Sequence, residues 1–201
     1  MVQYIEKTEA VFNFSWSICL RLTFLRGGGR HMFQFGEKVI DKSGRIYSIT
    51  GVEDKDFGTG KEPYFILTPF FDYGLNPGFQ SFIPVSRSES LLKKILSKEE
   101  ALSLIDTLTN LQPFPEASPR ERKLQYTKIV ASGNRNDILR VIKSLLDYRE
   151  QRKKANKPFS DFDKRLLDSL RTMFENEMSL ALEIAPSEVE PFIRERIGMA
   201  L

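Results

Sequence analysis

Short segments of alternating apolar and polar residues lie between residues 33 and 84. Their alternation has period two, and they are rich in β-branched and aromatic residues, which predicts strands. The four segments are FQFGEKVI, RIYSITGV, PYFILTPF and FQSFIPV, and the glycine-containing turns between them are KSG, DKDFGTGKEP and DYGLNPG. Four short strands joined in this way favour a small, strongly bent sheet or a barrel.

From about Leu91 the apolar residues recur at helical spacing. Three serines precede such segments and have an acidic residue three positions later, the pattern of a capping box: Ser97 with Glu100, Ser118 with Glu121 and Ser160 with Asp163. Gly133 and Pro158 are stop signals, and a short last helix is expected from Ser187. The chain is therefore predicted to be an α+β protein, with a β-rich N-terminal unit followed by an all-helical unit.

The formal net charge of +3 hides a division along the chain. Residues 32–117 carry 9 basic and 12 acidic side chains, residues 118–174 carry 15 and 7, and residues 175–201 carry 2 and 6. The middle segment, with a net charge of +8, contains the runs PRERK and REQRKKANK. Such a surface attracts a polyanion, most simply DNA. The alternative is a solvated helix face, whose cations at a helix C-terminus suit the macrodipole.

Several chemistries find no support in the sequence. Cys19 and His31 are the only cysteine and histidine, and both precede Met32. The remainder of the chain therefore has no Cys or His nucleophile, base or zinc ligand. DFGTGKEP fails as a phosphate-binding loop, because Lys55 stands where the first glycine belongs and Glu62 follows the lysine. We expect no catalytic residue, metal or cofactor, and hence no enzyme.

The N-terminal segment ends in LRGGGRHMFQFGEK. Residues 11–25 are apolar, but Arg21 interrupts them, and Glu6 and Glu9 precede them instead of a positive cluster, so a signal peptide is not predicted. No apolar run approaches the roughly 20 residues that span a bilayer. We expect a cytoplasmic protein in which residues 1–31 are a non-native or disordered leader. A cloning scar at His31 and a true linker are the alternatives.

Two segments carry a family resemblance: the "ASGN" helix at 131–149 and FSDFDKRLLD at 159–168. With the strand segments and SKEEALSLIDTL, they resemble the CarD/CdnL family of bacterial transcription regulators over about residues 33–184. The resemblance implies a small Tudor-like β-barrel, here 32–90, which docks on the RNA polymerase β subunit. It also implies an all-helical domain, here 91–201, which contacts promoter DNA near the upstream edge of the transcription bubble and tunes the open complex with little sequence recognition.

The resemblance transfers to particular residues unevenly. Many members carry a wedge tryptophan just before the basic cluster of the second helix, whereas this chain has Ser118–Pro119 there, and we consider Phe114 as its substitute. With the basic run at 149–157, the expected DNA contacts are Phe114, Arg120, Arg122, Lys123, Lys153, Lys164 and Arg165. Family positions that contact polymerase correspond to Lys55 and Phe82, and only Lys55 keeps the positive charge.

The expected partners are therefore the RNA polymerase β subunit and promoter DNA, with no membrane, and we expect a monomer. A protein of another class remains open at this point. It is an adaptor that binds proteins without a DNA role, in which the basic helices are solvated or dock an acidic partner. The absence of the tryptophan favours this alternative.

Overall fold

A computed structural model provides the structure, and it describes residues 33–58, 60–115 and 117–198. The chain from Phe33 to Leu201 forms one compact unit. A division of this unit near residue 90 stays a prediction. The expected leader, residues 1–31, lies outside the described residues. Within them, no helix has the length and apolar character needed to cross a bilayer.

Five antiparallel strands form a single sheet. They are β1 (Lys38–Asp41), β2 (Ile46–Asp56), β3 (Lys61–Pro69), β4 (Ser81–Pro84) and β5 (Leu92–Lys94), in the order β4-β3-β2-β1-β5. The α+β class is thus confirmed. The sheet is open, with β4 and β5 at its edges, and it does not close into the predicted barrel. The fifth strand lies where the sequence predicts the start of the helical region.

The sheet is bent at a β-bulge in β2. The register between β2 and β3 shifts between Ile49 and Gly51, which increases the local twist and curls the two long strands. The curled face encloses an apolar cluster of buried residues: Phe33, Val39, Tyr47, Ile49, Phe65, Leu67, Val85 and Leu92. All of these except Leu92 lie in the predicted strand segments, whereas Phe35, an apolar position of the first segment, is 62% exposed.

Six α-helices follow or interrupt the strands in the part of the chain that the structure describes: α1 (Ser88–Leu91), α2 (Lys98–Thr107), α3 (Pro119–Ser132), α4 (Arg135–Lys154), α5 (Asp161–Leu182) and α6 (Pro186–Ile197). The predicted starts are confirmed. Ser97 and Ser118 form complete capping boxes, and the Ser160 hydroxyl accepts from the amide of Asp163. Gly133 ends α3 in the left-handed conformation, at φ +64°.

Helix α5 is the centre of the helical core. Its buried apolar side chains include Leu167, Leu170, Phe174 and Met178, which join the buried side chains of α2, α4 and α6 in one cluster. Met173 is only half-buried and contacts the turn before β2.

Polar contacts hold the sheet to the helices. The Lys93 ammonium donates to the Gly133 carbonyl at 2.7 Å, which also caps the end of α3. The Arg135 guanidinium donates to the Lys94 carbonyl at 2.9 Å, and its Nε lies 3.0 and 3.1 Å from the carboxylate oxygens of buried Glu177. The strand β5 thus lies against the turn between α3 and α4.

The turn at Gly44 packs closely against Met173 of α5. Gly44 has φ +80°, and a Cβ built there would lie 1.8 Å from the Met173 sulfur. Gly36 has nearly the same φ, +81°, with nothing within 4 Å of the same position. Substitutions at the two glycines therefore distinguish the cost of a positive φ, which both positions share, from the cost of steric contact with Met173, which only Gly44 has.

We expect Gly36→Ala to lower the free energy of unfolding by about 1–2 kcal/mol, the usual cost of the left-handed conformation. Gly44→Ala should cost a further 1–3 kcal/mol or so, because the methyl group must displace Met173. Urea unfolding followed by circular dichroism measures both values. Adding Met173→Ala to Gly44→Ala should remove most of the extra loss; equal costs for the two glycine variants would contradict the contact.

Candidate nucleic-acid interface

Three helix ends meet at one end of the helical region. Arg122 in the first turns of α3 pairs with Asp163 in the first turn of α5, and its guanidinium carbon lies 4.0 Å from the ring centroid of Tyr148 on α4. Tyr148 also lies 6.0 Å from the ring of Phe159, just before α5. The N-termini of α3 and α5 therefore lie beside the C-terminal part of α4.

The pair between Arg122 and Asp163 is buried. Arg122 is 7% exposed and Asp163 2% exposed. Nε of Arg122 donates to Oδ1 at 3.2 Å and Nη2 donates to Oδ2 at 2.7 Å, a bidentate geometry. Burial acts to lower the pKa of Arg122, but the Asp163 carboxylate outweighs it and the pKa is raised. Arg122 is therefore held as a cation inside the protein, where it positions α3 against α5.

The carboxylates of the first turns are likewise engaged within the protein. The Ser160 hydroxyl donates to Oδ2 of Asp163 at 2.7 Å, and the Ser118 hydroxyl donates to Oε2 of Glu121 at 2.6 Å. The Ser118 hydroxyl and amide hold the pKa of Glu121 below its usual range. These acidic side chains cap the N-termini of α3 and α5, and their negative charge offsets the positive end of each helix dipole.

Eight cations surround these helix ends, and we call them the basic end: Arg120, Lys123, Arg152, Lys153, Lys154, Lys157, Lys164 and Arg165. All are exposed except Arg152, which is half-buried and donates to the Pro158 carbonyl at 2.9 Å. Lys123 lies 5.1 Å from the centroid of the Phe162 ring, which links α3 to α5 again. The predicted contacts Arg120, Lys123, Lys153, Lys164 and Arg165 thus share one end of the molecule.

Phe114 occupies a different environment from the one expected for a wedge. Its ring is half-buried, lies 3.9 Å from the guanidinium carbon of Arg140 and is tilted against Tyr126 at 6.1 Å. Its amide donates to the Ser144 hydroxyl at 2.7 Å. These contacts fasten the proline-rich loop to α3 and α4, so the ring is engaged in packing.

Leu124 is the exposed apolar side chain of α3. It is 60% exposed and lies one turn after Arg120 on the same side of the helix. It does not stand out in the sequence, because it falls outside the apolar stripe of α3, which consists of Tyr126, Ile129 and Val130. In the sequence, Leu124 can be recognised as the apolar residue that lies four positions after Arg120 and off the core-facing stripe of α3.

Lys55 and Phe82, the two positions expected to contact polymerase, are brought together on the sheet. The Lys55 ammonium lies 5.4 Å from the centroid of the Phe82 ring, although the residues belong to β2 and β4. Phe57 adds an exposed ring, 5.9 Å from Phe82 and 5.0 Å from Tyr64. Tyr64 itself is buried, at 6% exposure. We call Lys55, Phe57 and Phe82 the aromatic face. Sequence analysis did not find Phe57, because it lies in a glycine-rich turn.

No group of three or more His, Cys, Asp or Glu side chains within the described residues has the arrangement of a metal site. Neither a scan against protein-family models nor a search of curated proteins finds a match for this chain. The resemblance to the CarD/CdnL family accordingly stays a prediction that rests on the motifs at 131–149 and 159–168.

Proposed function

We propose that this protein is a non-enzymatic transcription regulator of the CarD/CdnL type, which binds promoter DNA and the RNA polymerase β subunit. The observation that carries the proposal is the basic end, where eight cations from three helices and their connections gather beside two capped helix N-termini. In this proposal the cations contact phosphates and tune the stability of the open complex without base recognition.

The chemistry of the basic end supports phosphate contact. Exposed lysines and arginines gain affinity by releasing counterions from DNA, and this gain depends steeply on salt. Phosphate contacts fix position and carry no direct sequence information, in agreement with a regulator that serves many promoters.

The proposed contact set differs from the sequence expectation at two residues. Arg122 is paired with Asp163, and Phe114 packs between the proline-rich loop and the helices. In the proposal both residues position the surface, and other residues contact the DNA. Leu124 takes the role first considered for Phe114, an apolar contact with the minor groove among phosphate-binding cations.

For polymerase, the proposed docking surface is the aromatic face on the bent sheet, which we propose as a reduced, open relative of the Tudor-like barrel. Exposed aromatic side chains beside a cation are typical of protein-interface hot spots. Phe57 is 60% exposed, and Lys55 sits over the ring of Phe82. The face thus offers apolar area, and its cation is paired with the Glu53 carboxylate at 2.6 Å.

Electrophoretic mobility and fluorescence anisotropy of a promoter duplex over a salt series test the DNA role. We expect binding that weakens linearly on a logarithmic scale as salt rises. Binding that is absent at low salt would contradict the DNA role.

Retention on immobilised polymerase β fragments tests the docking role. We expect Phe57→Ser to reduce retention of the protein by about tenfold, since truncation of an aromatic hot-spot residue costs more than 1 kcal/mol. Phe35→Ser is the matched control, because Phe35 is 62% exposed but lies in the turn before β1, away from the aromatic face. Equal retention of both variants would remove the aromatic face from the proposal.

An adaptor without a DNA role is the second candidate. It is favoured by the internal engagement of Arg122 and Phe114, which takes two expected residues out of the DNA contact set. Mobility of a forked promoter DNA with and without polymerase separates the two functions. The adaptor would leave the DNA unshifted when polymerase is absent.

A further inference from the structure

A pocket of about 360 Å³ opens beside the basic end, between the proline-rich loop and α4. Three prolines of the loop and of the start of α3 form one wall: Pro113, Pro115 and Pro119. The opposite wall is a single side of α4, which contributes Ser144, Asp147, Tyr148, Gln151, Arg152 and Ala155. The volume lies in the range of small-molecule sites.

The walls combine the prolines and the Tyr148 ring with polar side chains, among them Arg122, whose guanidinium carbon lies 4.0 Å from the centroid of that ring. Asp147 and Gln151 are exposed, lie four residues apart on α4, and within the described part of the chain their side chains make no hydrogen bond or ion pair. Arg152 and Lys157 place positive charge at the same opening. Prolines and an aromatic ring suit a planar ring system, and the two cations suit an attached phosphate.

We propose that this pocket binds one unpaired nucleotide, with its base between the prolines and Tyr148 and its phosphate at Lys157. The inference rests on the proposed function and refines it: the duplex lies on the basic end and the pocket holds the first unpaired base. Asp147 can only accept hydrogen bonds when ionised. It can accept from the exocyclic amino group of cytosine, whereas thymine has in the same place a carbonyl oxygen that the carboxylate repels, so cytosine should bind better than thymine.

The test is anisotropy with the full chain and a labelled short duplex that ends either blunt or in one unpaired nucleotide. We expect an unpaired cytosine to raise the affinity at least about fivefold over the blunt duplex, the lower bound for one stacked base. An unpaired thymine should gain less, and an abasic nucleotide should gain little. Free dCMP, titrated alone, shows whether an unattached nucleotide is also bound.

Asp147→Ala should abolish the difference between cytosine and thymine. Because this variant also removes a negative charge, the ratio of the two affinities is compared instead of either value. Glu150→Ala is the matched control, since Glu150 is an exposed acid of α4 outside the pocket lining. It should raise both affinities and keep their ratio. Lys157→Ala should lower the gain from any unpaired nucleotide.

The outcomes separate this inference from the function on which it rests. Normal binding of the blunt duplex with no gain from an unpaired cytosine overturns the pocket and leaves the DNA role standing. An abasic nucleotide that gains as much as cytosine also overturns it, because only the backbone would then be bound. Absence of duplex binding contradicts the proposed function itself. Binding of free dCMP that Asp147→Ala abolishes supports the pocket, with a free nucleotide as the source.

Discussion

Replacing Arg122 with alanine should lower the free energy of unfolding by about 3–5 kcal/mol, the cost of leaving one partner of a buried ion pair alone. Asp163, which is 2% exposed in the intact protein, would lose its cation and keep the Ser160 hydroxyl as its side-chain donor. The cation above the Tyr148 ring, at 4.0 Å, would be lost as well. Urea unfolding with linear extrapolation measures the change.

Arg120→Ala is the matched control for this measurement. Arg120 lies two residues earlier in the same helix, carries the same side chain and is exposed. Its removal should change the free energy of unfolding by no more than about 0.5 kcal/mol. If Arg122→Ala and Arg120→Ala cost the same, the buried pair does not hold α3 to α5.

A double variant tells a positioning role from a DNA contact. Arg122→Met with Asp163→Leu removes both charges, so most of the lost stability should return. Its affinity for duplex DNA should then equal that of the unchanged protein, because Arg122 is committed to Asp163. A stable double variant with weakened, less salt-sensitive DNA binding would show instead that Arg122 contacts phosphate.

Local signals in the sequence predicted the helices well. A capping box needs only a serine and a glutamate three residues apart, so Ser97 with Glu100 and Ser118 with Glu121 are visible in the chain itself. The strand segments likewise supply buried side chains of the sheet, although β3 is buried at four consecutive residues, Tyr64 to Leu67, without alternation. Each of these features depends on residues that are close in sequence.

The features that sequence analysis missed depend on residues that are far apart. Arg122 and Asp163 are separated by 41 positions, and nothing local in PRERK distinguishes a buried arginine from a solvated one. Phe114 is held by Ser144, 30 positions away. The predicted DNA contacts that stay in the proposed set are exposed cations near helix ends. Their exposure does not depend on a partner that is distant in sequence.

The topology of the sheet likewise depends on residues that are far apart in sequence. Strand β5 has only three residues, Leu92–Lys94, too few for an alternating pattern, and it pairs with β1 through residues 39–41. Its position depends on Lys93 and on Arg135, which tie it to the turn before α4. Closure of a barrel is a property of all strand pairs together, which a count of four strands could not decide.

Reversing two charges of the basic end should have the largest effect on DNA binding. With Arg120→Glu and Lys123→Glu together, we expect the affinity for duplex DNA to fall roughly 50-fold or more at about 0.1 M salt, because two phosphate contacts are lost and two repulsions are added. The slope of the logarithm of affinity against the logarithm of salt should become shallower by about two. Anisotropy over a salt series measures both quantities.

The reversal is separable from unfolding because of where the residues lie. Arg120 is in the first turn of α3, where the helix dipole favours acidic side chains, and Lys123 is exposed one turn later. Lys42→Glu with Lys98→Glu is the matched control, since both lysines are exposed outside the basic end and the change in net charge is the same. An equal loss in both double variants would mean that DNA responds only to the total charge, and the basic end would then not be the contact surface. A loss confined to Arg120 and Lys123 would locate the phosphates at the junction of α3 and α5, because the buried pair of Arg122 and Asp163 fixes these two helix ends beside each other.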